Sequence, residues 1–596
     1  MFEFAGIFTP ASEEASYFDS PFPGLSAYDR VESEAGKVEN ECYRIFSLAN
    51  KKKPNLYTAE DLLVMVYGDC YDKGGASGRL TAEEIGNRYL RQGDQVVDAL
   101  KGSFVILLID SNQKYLKAFT DPLNILSLYY RRTPSGALFF SSSLKALARS
   151  LQQSGIAPEI DHASLIEYYL FDFPLTDHTF LKDIREVPPG SRLKYDAREG
   201  LSLTAYFDPF DFFSLSGEVL SRKEGAEKIK KVLSENIQAR LEPPSQTAVA
   251  LTGGYDSRSI VALLGEQFRD YQYYSYGSKQ SWDVRIPQTI AAQNDLEYSF
   301  IDLEGAFMAD FGKYADQTIQ MGDGIAEANR ANYTFVYSRY FTDKSSILTG
   351  LFGSELIKTP SSRGMFIDEN IIQLLESSDP ARTMNRLFDK AAATGLLEEA
   401  YLRNWQEKVT ERVLSNHIFT SDRPINHKYF YFLLLIGMRK YFSKEIKVEK
   451  PFVQNLTPFF DLDFIAVLLQ TPFPWVYNWS KEKSLTKNLK IHQIYSDLIK
   501  ANNGLLDVIS THGFRPRFLT KKIFYPLVAA EFFLNKKKIA RQSSLNFQEQ
   551  IDRFFDANEK MSCLPQVKKD KLFENRKDHY KDFTKLNSLA YWMDTL

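Results

Sequence analysis

The chain has 596 residues, of which 44% are apolar, so it is long for one domain and can bury sizeable cores in two or more. Its net charge of −3 excludes a nucleic-acid-binding surface spread over the whole molecule. Cys42, Cys70 and Cys563 are odd in number and lack metal-like spacing, and the longest apolar run, residues 429–438, is too short to cross a bilayer; a cytoplasmic protein with no membrane or nucleic-acid partner is expected.

Runs at 62–67, 103–109, 115–119, 127–130 and 138–141 are apolar or alternating and are separated by Gly, Asn, Asp and Pro, which predicts strands. Residues 81–100 and 143–151 have helical spacing, so the first two hundred residues predict a layered α+β domain. Near Phe207-Asp208-Pro209 the pattern changes, and from Arg222 onward strands alternate with longer helices, as in a parallel α/β sheet. A boundary is placed at 209/210. The short basic runs Lys51-Lys52-Lys53 and Lys536-Lys537-Lys538 suit solvated loop or helix ends.

Residues 247–251 suit a buried strand and 259–264 a helix, with Thr252, Gly253, Gly254, Tyr255, Asp256 and Ser257 forming the hinge between them. Glycines there let the backbone approach an anion. The N–H groups of the helix start, with the Thr252 and Ser257 hydroxyls, can donate to phosphate oxygens. Asp256 repels a phosphate unless a divalent cation lies between them, so Mg²⁺ is implied. No Lys follows the glycines, which disfavours a Walker-type loop. Residues 273–277 read as the next parallel strand, and 346–348 as another, leading into Thr349-Gly350-Leu351-Phe352-Gly353-Ser354-Glu355. Beyond residue 530, stretches 548–555 and 568–583 are helical in pattern, giving a C-terminal extension over 531–596.

The hinge resembles the SGGxDS pyrophosphate loop of the N-type ATP pyrophosphatases, with Thr252 for the first serine. Other segments, in order, are similar to those of asparagine synthetases: Leu100-Lys101-Gly102-Ser103-Phe104, Asp110, Asp121-Pro122-Leu123-Asn124, Leu128-Tyr129-Tyr130, Glu186-Val187-Pro188-Pro189-Gly190, Tyr206-Phe207-Asp208-Pro209 and Thr457-Pro458-Phe459-Phe460-Asp461. The likeness covers roughly residues 1–520. It implies an N-terminal nucleophile-hydrolase-like α+β sandwich over 1–209, a glutamine amidotransferase-like domain. An α/β ATP-pyrophosphatase domain of the adenine nucleotide α-hydrolase-like type would follow over 210–530, with ATP and Mg²⁺ as cofactors. The resemblance extends to β-lactam synthetases and lasso-peptide cyclases, which have lost glutaminase activity.

Mapped onto this chain, the resemblance gives a nucleotide site of Leu251, Thr252, Gly253, Gly254, Tyr255, Asp256, Ser257, Tyr276, Gly277, Gly353 and Ser354. Ser281-Trp282-Asp283 resembles the segment beside the adenine. The second metal carboxylate of the family falls on Ser354 in a strict register, or on Glu355 if one residue is inserted; the second is favoured, pairing Glu355 with Asp256 on the metal. The family's late lysine falls on Thr511, beside His512 and Gly513-Phe514. Arg258 is then the candidate cation at the phosphates, and Arg258 and Glu355 are the candidate catalytic pair. The family's nucleophilic cysteine falls on Ala5 in Phe4-Ala5-Gly6-Ile7-Phe8, and its glutamine-binding N-G-E falls on Tyr67-Gly68-Asp69, so no glutamine hydrolysis is expected. The implied function is an ATP-dependent, AMP-forming amide ligase using ammonia or a substrate amine, with a small-molecule or peptide carboxylate as acceptor. The rival readings are a non-catalytic ATP- or peptide-binding pseudoenzyme and a glutamine-dependent asparagine synthetase.

Overall fold

The computed structural model describes residues 2–10, 34–49, 54–73, 78–214, 219–358, 368–478, 485–540, 545–558 and 564–596; Cys563 and the Lys51–Lys53 run lie outside them. Twelve strands build the N-terminal half: β1 (Phe2–Phe8), β2 (Glu34–Glu39), β3 (Tyr43–Ala49), β4 (Asn55–Ala59), β5 (Leu62–Asp72), β6 (Leu100–Asp110), β7 (Tyr115–Thr120), β8 (Tyr129–Arg132), β9 (Leu138–Ser141), β10 (Arg185–Glu186), β11 (Ser191–Asp196) and β12 (Gly200–Ala205). They form two antiparallel sheets, ordered β10-β8-β9-β1-β3-β2 and β12-β11-β7-β6-β5-β4.

The period of two decides how the layers stack. Leu63, Met65, Tyr67, Val105 and Leu107 turn toward β1 of the other sheet, where the Phe4 and Tyr67 rings lie 5.3 Å apart. The alternate residues Leu62, Val64, Val66, Phe104 and Ile106 face Ile85 and Tyr89 of helix α1 (Ala82–Gln92). This α+β sandwich is of the nucleophile-hydrolase-like type expected. The single helix expected over 81–100 is broken: Thr81 and Glu84 form a capping box, Gly93 ends α1 at φ 61°, and a 3₁₀ segment leads into β6. Helix α2 (Leu144–Gln153) is capped by Ser143, and Asp323 from the second half also accepts from the Leu144 and Lys145 N–H groups.

Five parallel strands, β13 (Thr247–Ala250), β14 (Gln272–Gly277), β15 (Tyr298–Asp302), β16 (Ser346–Leu348) and β17 (Gln454–Leu456), form the second sheet system in the order β15-β14-β13-β16-β17. Helix α3 (Tyr255–Leu263) follows β13, and helix α4 (Trp282–Asn294) follows β14. From β13 the chain builds outward to β14 and β15, then returns to β16 on the other side. This reversal opens a crevice at the carboxyl ends of β13 and its neighbours, where open α/β sheets bind ligands.

Two helices tie the halves together. Helix α5 (Met438–Glu449) runs between them; Lys440 and Arg439 both reach Glu186 (2.5 and 2.9 Å), Lys444 reaches Glu327 (2.8 Å) and Lys447 reaches Asp323 (2.6 Å). Just past its end, Lys450 pairs with Glu3 of β1 at 2.7 Å. Helix α6 (Tyr580–Met593) is separated from the short helix Lys569–Glu574, so residues 568–583 are not one helix. Phe583, Leu586, Leu589 and Trp592 of α6 are fully buried. Its Lys585 donates to the Tyr169 carbonyl of the first half, and its Ser588 hydroxyl accepts from Ala328 N–H of the second. Residues 580–593 are thus a core element rather than an appendage.

Candidate functional site

The crevice is a cavity of about 390 Å³, lined on the β13 side by Thr252, Asp256, Ser257 and Asp283. Gly254 is the N-cap of α3 and places no side chain on its first turn, so that turn is open to an anion. The hinge is held by its own hydroxyls: Thr252 N–H donates to Ser257 Oγ (3.1 Å), and the two hydroxyls lie 3.0 Å apart. Gly253 N–H donates to Asp283 at 3.2 Å. Position 253 must be glycine, because a Cβ would lie 2.5 Å from the Thr511 methyl and 3.0 Å from the Trp282 carbonyl oxygen.

The loop after β16 packs directly on the start of α3. A Cβ at Gly350 would lie 2.7 Å from the Asp256 carbonyl carbon, and one at Gly353 would lie 2.6 Å from its carboxylate. Between them Phe352 adopts φ 71°, a left-handed conformation costly for a bulky residue, held by stacking on Phe460 (4.2 Å) and an edge contact with Phe442 (4.9 Å). Beyond this residue, the turn Gly353–Ile357 carries Ser354, Glu355 and, at its end, Lys358 to Asp256.

Asp256 is the hub. One carboxylate oxygen accepts from Ser354 Oγ (2.6 Å) and Lys358 Nζ (3.3 Å), and the other from the Tyr495 hydroxyl (2.6 Å). Glu355 is pushed up to about 7, chiefly by burial and then by the neighbouring Asp256, with Lys358 opposing. A divalent cation beside Asp256 would relieve this like-charge influence on Glu355. No group of three or more His, Cys, Asp or Glu able to hold a metal occurs among the described residues. A cation here would therefore complete its shell with phosphate oxygens and water, the habit of Mg²⁺.

The far wall comprises Tyr274, Tyr276, Tyr333, Tyr337, Glu445, Glu449 and Asn455. Glu445 lies 3.3 Å from Arg330, and Glu449 accepts from Asn455 at 2.8 Å. Burial pushes Glu449 up to about 8, reinforced by Glu445 and opposed by the Asn455 bond.

Several expected site residues turn away from the cavity. Arg258 is fully buried, and its guanidinium donates to the carbonyls of Val508 (2.7 Å), Ile509 (2.5 Å) and Gly253 (3.3 Å). It therefore pins the 508–511 segment to the hinge instead of presenting a cation to phosphates, because three backbone acceptors had to be satisfied there. Tyr255 is also fully buried, its hydroxyl donating to the Phe514 carbonyl. Leu251 N–H is spent on the Tyr274 carbonyl, and the Gly277 carbonyl accepts from Leu303 N–H. His512 packs 4.8 Å from His492 and is pushed down to about 3, mainly by burial, so it stays neutral.

The sequence reading missed Lys358, Tyr333, Tyr337, Glu445, Glu449 and Asn455. A signal existed for some of them: Lys358 is four residues after Ser354, and Glu445 and Glu449 are one helical turn apart just before Pro451.

A family model for the glutamine amidotransferase domain matches residues 77–207. Amidase chyE of Penicillium rubens is 28% identical over 181 residues, 30% of this chain and 26% of that protein. Amidase chry2 of Gibberella zeae is 27% identical over 210 residues, covering 34% and 30%. Glutamine-hydrolyzing asparagine synthetase B of Escherichia coli is 23% identical over 218 residues, covering 36% and 32%. The chain is similar to asparagine synthetases and fungal amidases over about a third of its length. Its matches span a third or less of the length of these relatives.

The resemblance puts the family's nucleophilic cysteine at Ala5. Ala5 is fully buried mid-strand in β1, paired with Phe46 on one side and Ser141 on the other. Of the other thiols among the described residues, Cys70 is fully buried and pushed well above its ordinary value by that burial. Cys42 is also raised by burial, so neither is a poised thiolate. No helix among the described residues is long and apolar enough to cross a membrane.

Proposed function

We propose that this protein is an amide-forming ligase that adenylates a small-molecule or peptide carboxylate with Mg·ATP and joins it to ammonia or a substrate amine, without hydrolysing glutamine. The observation that carries this reading is Asp256 with the Thr252 and Ser257 hydroxyls at the mouth of an uncapped helix, across one cavity from a wall of tyrosines and glutamates. On this reading residues 210–530 act as the ATP-pyrophosphatase domain. Asp256 and Glu355 would hold Mg²⁺, whose chemistry is to gather and neutralise the triphosphate. Thr252, Ser257, Gly353, Ser354 and the N-terminus of α3 would bind the β- and γ-phosphates, and Tyr276 would border the base.

The acceptor carboxylate oxygen attacks the α-phosphorus and pyrophosphate leaves. An uncharged amine then attacks the acyl carbon, the bond to AMP breaks, and the amine gives up a proton. Glu449 and Glu445 line the wall where an amine can be held and its proton taken, and the tyrosine rings exclude water from the acyl-adenylate.

The test is product analysis on a panel of carboxylates and amines. The expected result is AMP and pyrophosphate rather than ADP and phosphate, with no glutamate formed from glutamine. Asp256→Asn is expected to weaken Mg·ATP binding by about tenfold while sparing AMP, which hardly recruits the metal. Tight Mg·ATP binding with no pyrophosphate across the panel would favour the pseudoenzyme, a reading supported by Thr511. Glutamate release would restore the glutamine-dependent synthetase.

A further inference from the structure

The Mg·ATP reading leaves a charge problem. A triphosphate with one Mg²⁺ still carries net negative charge, and Asp256 and Glu355 add more, so a fixed cation is needed beside them. Arg258 cannot serve, since its guanidinium is committed to three carbonyls. Thr511 sits on the hinge, its N–H donating to the Gly253 carbonyl at 3.0 Å, but it presents a methyl there.

Lys358 lies beside Asp256, its ammonium 5.8 Å from the centre of the Tyr255 ring. Its ammonium is 3.3 Å from the Asp256 carboxylate, 3.0 Å from Ser354 Oγ and 4.5 Å from the centre of the Tyr495 ring, and its side chain is 14% exposed. Tyr495 is itself anchored to Asp256, so the lysine rests on a platform built around the metal carboxylate. A short turn that begins at Gly353 carries both Glu355 and Lys358, so one element brings the second carboxylate and the cation together.

We infer that Lys358 is the phosphate-binding cation of this site, pairing with Asp256 in the empty protein and passing to the pyrophosphate when a divalent cation takes Asp256. This inference rests on the proposed Mg·ATP reading. Lys358 is then the group that neutralises the departing pyrophosphate, taking the part that position 511 has given up. In the empty protein it is also the competitor of the metal for Asp256.

The two roles give effects of opposite sign, which loss of folding cannot imitate. Removing the charge with Lys358→Met should tighten the binding of Mn²⁺ alone by about threefold, because Asp256 loses its competing cation. The same substitution should weaken Mg·pyrophosphate and Mg·ATP by about tenfold and leave AMP within about twofold. Lys358→Arg should restore most of the pyrophosphate affinity. Calorimetry on the full chain reads all four ligands. Unchanged pyrophosphate affinity in Lys358→Met, or losses equal for AMP and ATP, would overturn the inference while leaving the ligase reading intact. Wild-type protein that binds neither Mg·ATP nor Mg·pyrophosphate would remove both.

Discussion

Glu449 shows how one residue can report on the whole site. Burial raises its folded-state value from 4.5 to about 8, so the fold prefers the protonated form. Between those values the folded protein binds more protons than the unfolded chain, so stability is fully present below pH 4.5 and falls as pH rises through about 8. Glu449→Gln is expected to flatten that part of the decline, measured as the midpoint of thermal unfolding of the nucleotide-free protein from pH 5 to 8; an unchanged slope would show that another group sets it. At this scale the sequence was partly legible. The hinge glycines, Asp256 and Ser257 could be picked out from spacing, because a strand, a turn and a helix start lie in one continuous stretch, whereas Glu355 came only from the family resemblance. The direction in which Arg258 points could not, since it depends on carbonyls 250 residues away.

Helix α5 is the element with the least legible role. Half of its residues are charged, a composition that reads as a solvated surface, yet Arg439, Lys440, Lys444, Glu445, Lys447 and Glu449 are all buried. Their partners lie in separate segments at Glu186, Asp323 and Glu327, and pairing over such separations leaves no periodic trace in the chain. The physical consequence is directional. Burial alone would raise Glu186, but Arg439 and Lys440 hold it well below its ordinary value. Its contribution is therefore present above pH 4.5 and lost as pH falls below that. Glu186→Gln leaves two buried cations short of a partner and is expected to cost about 3–5 kcal/mol in urea unfolding, whereas a loss under about 1 kcal/mol would mean that water reaches the helix.

At the scale of the whole molecule, the helix at 580–593 within the expected C-terminal extension packs against both halves. Helix α6 has the amphipathic spacing of an ordinary surface helix, but it inserts between the halves and is sealed on several sides, something periodicity within one segment cannot reveal. Burying Phe583, Leu586, Leu589 and Trp592 contributes about 1.5–3 kcal/mol each, a sum comparable with the whole stability of a domain. Deleting residues 580–596 is therefore expected to abolish cooperative unfolding of both halves, read by calorimetry; a truncated chain that kept one half's transition would show that half to be self-sufficient. The layered α+β domain was legible from its alternating runs, although seven of its twelve strands, including β1 and β3, carried too little alternation to be recognised beforehand. The centre of β1 has a practical side. Catalysis that begins at a terminal amine ties a protein to one way of starting its chain, but a methyl sealed inside a strand imposes no such condition. On the proposed glutamine-independent reading, a fluorophore or fused partner placed ahead of β1 is therefore expected to leave AMP formation unchanged, whereas a loss would return the terminal amine to the chemistry.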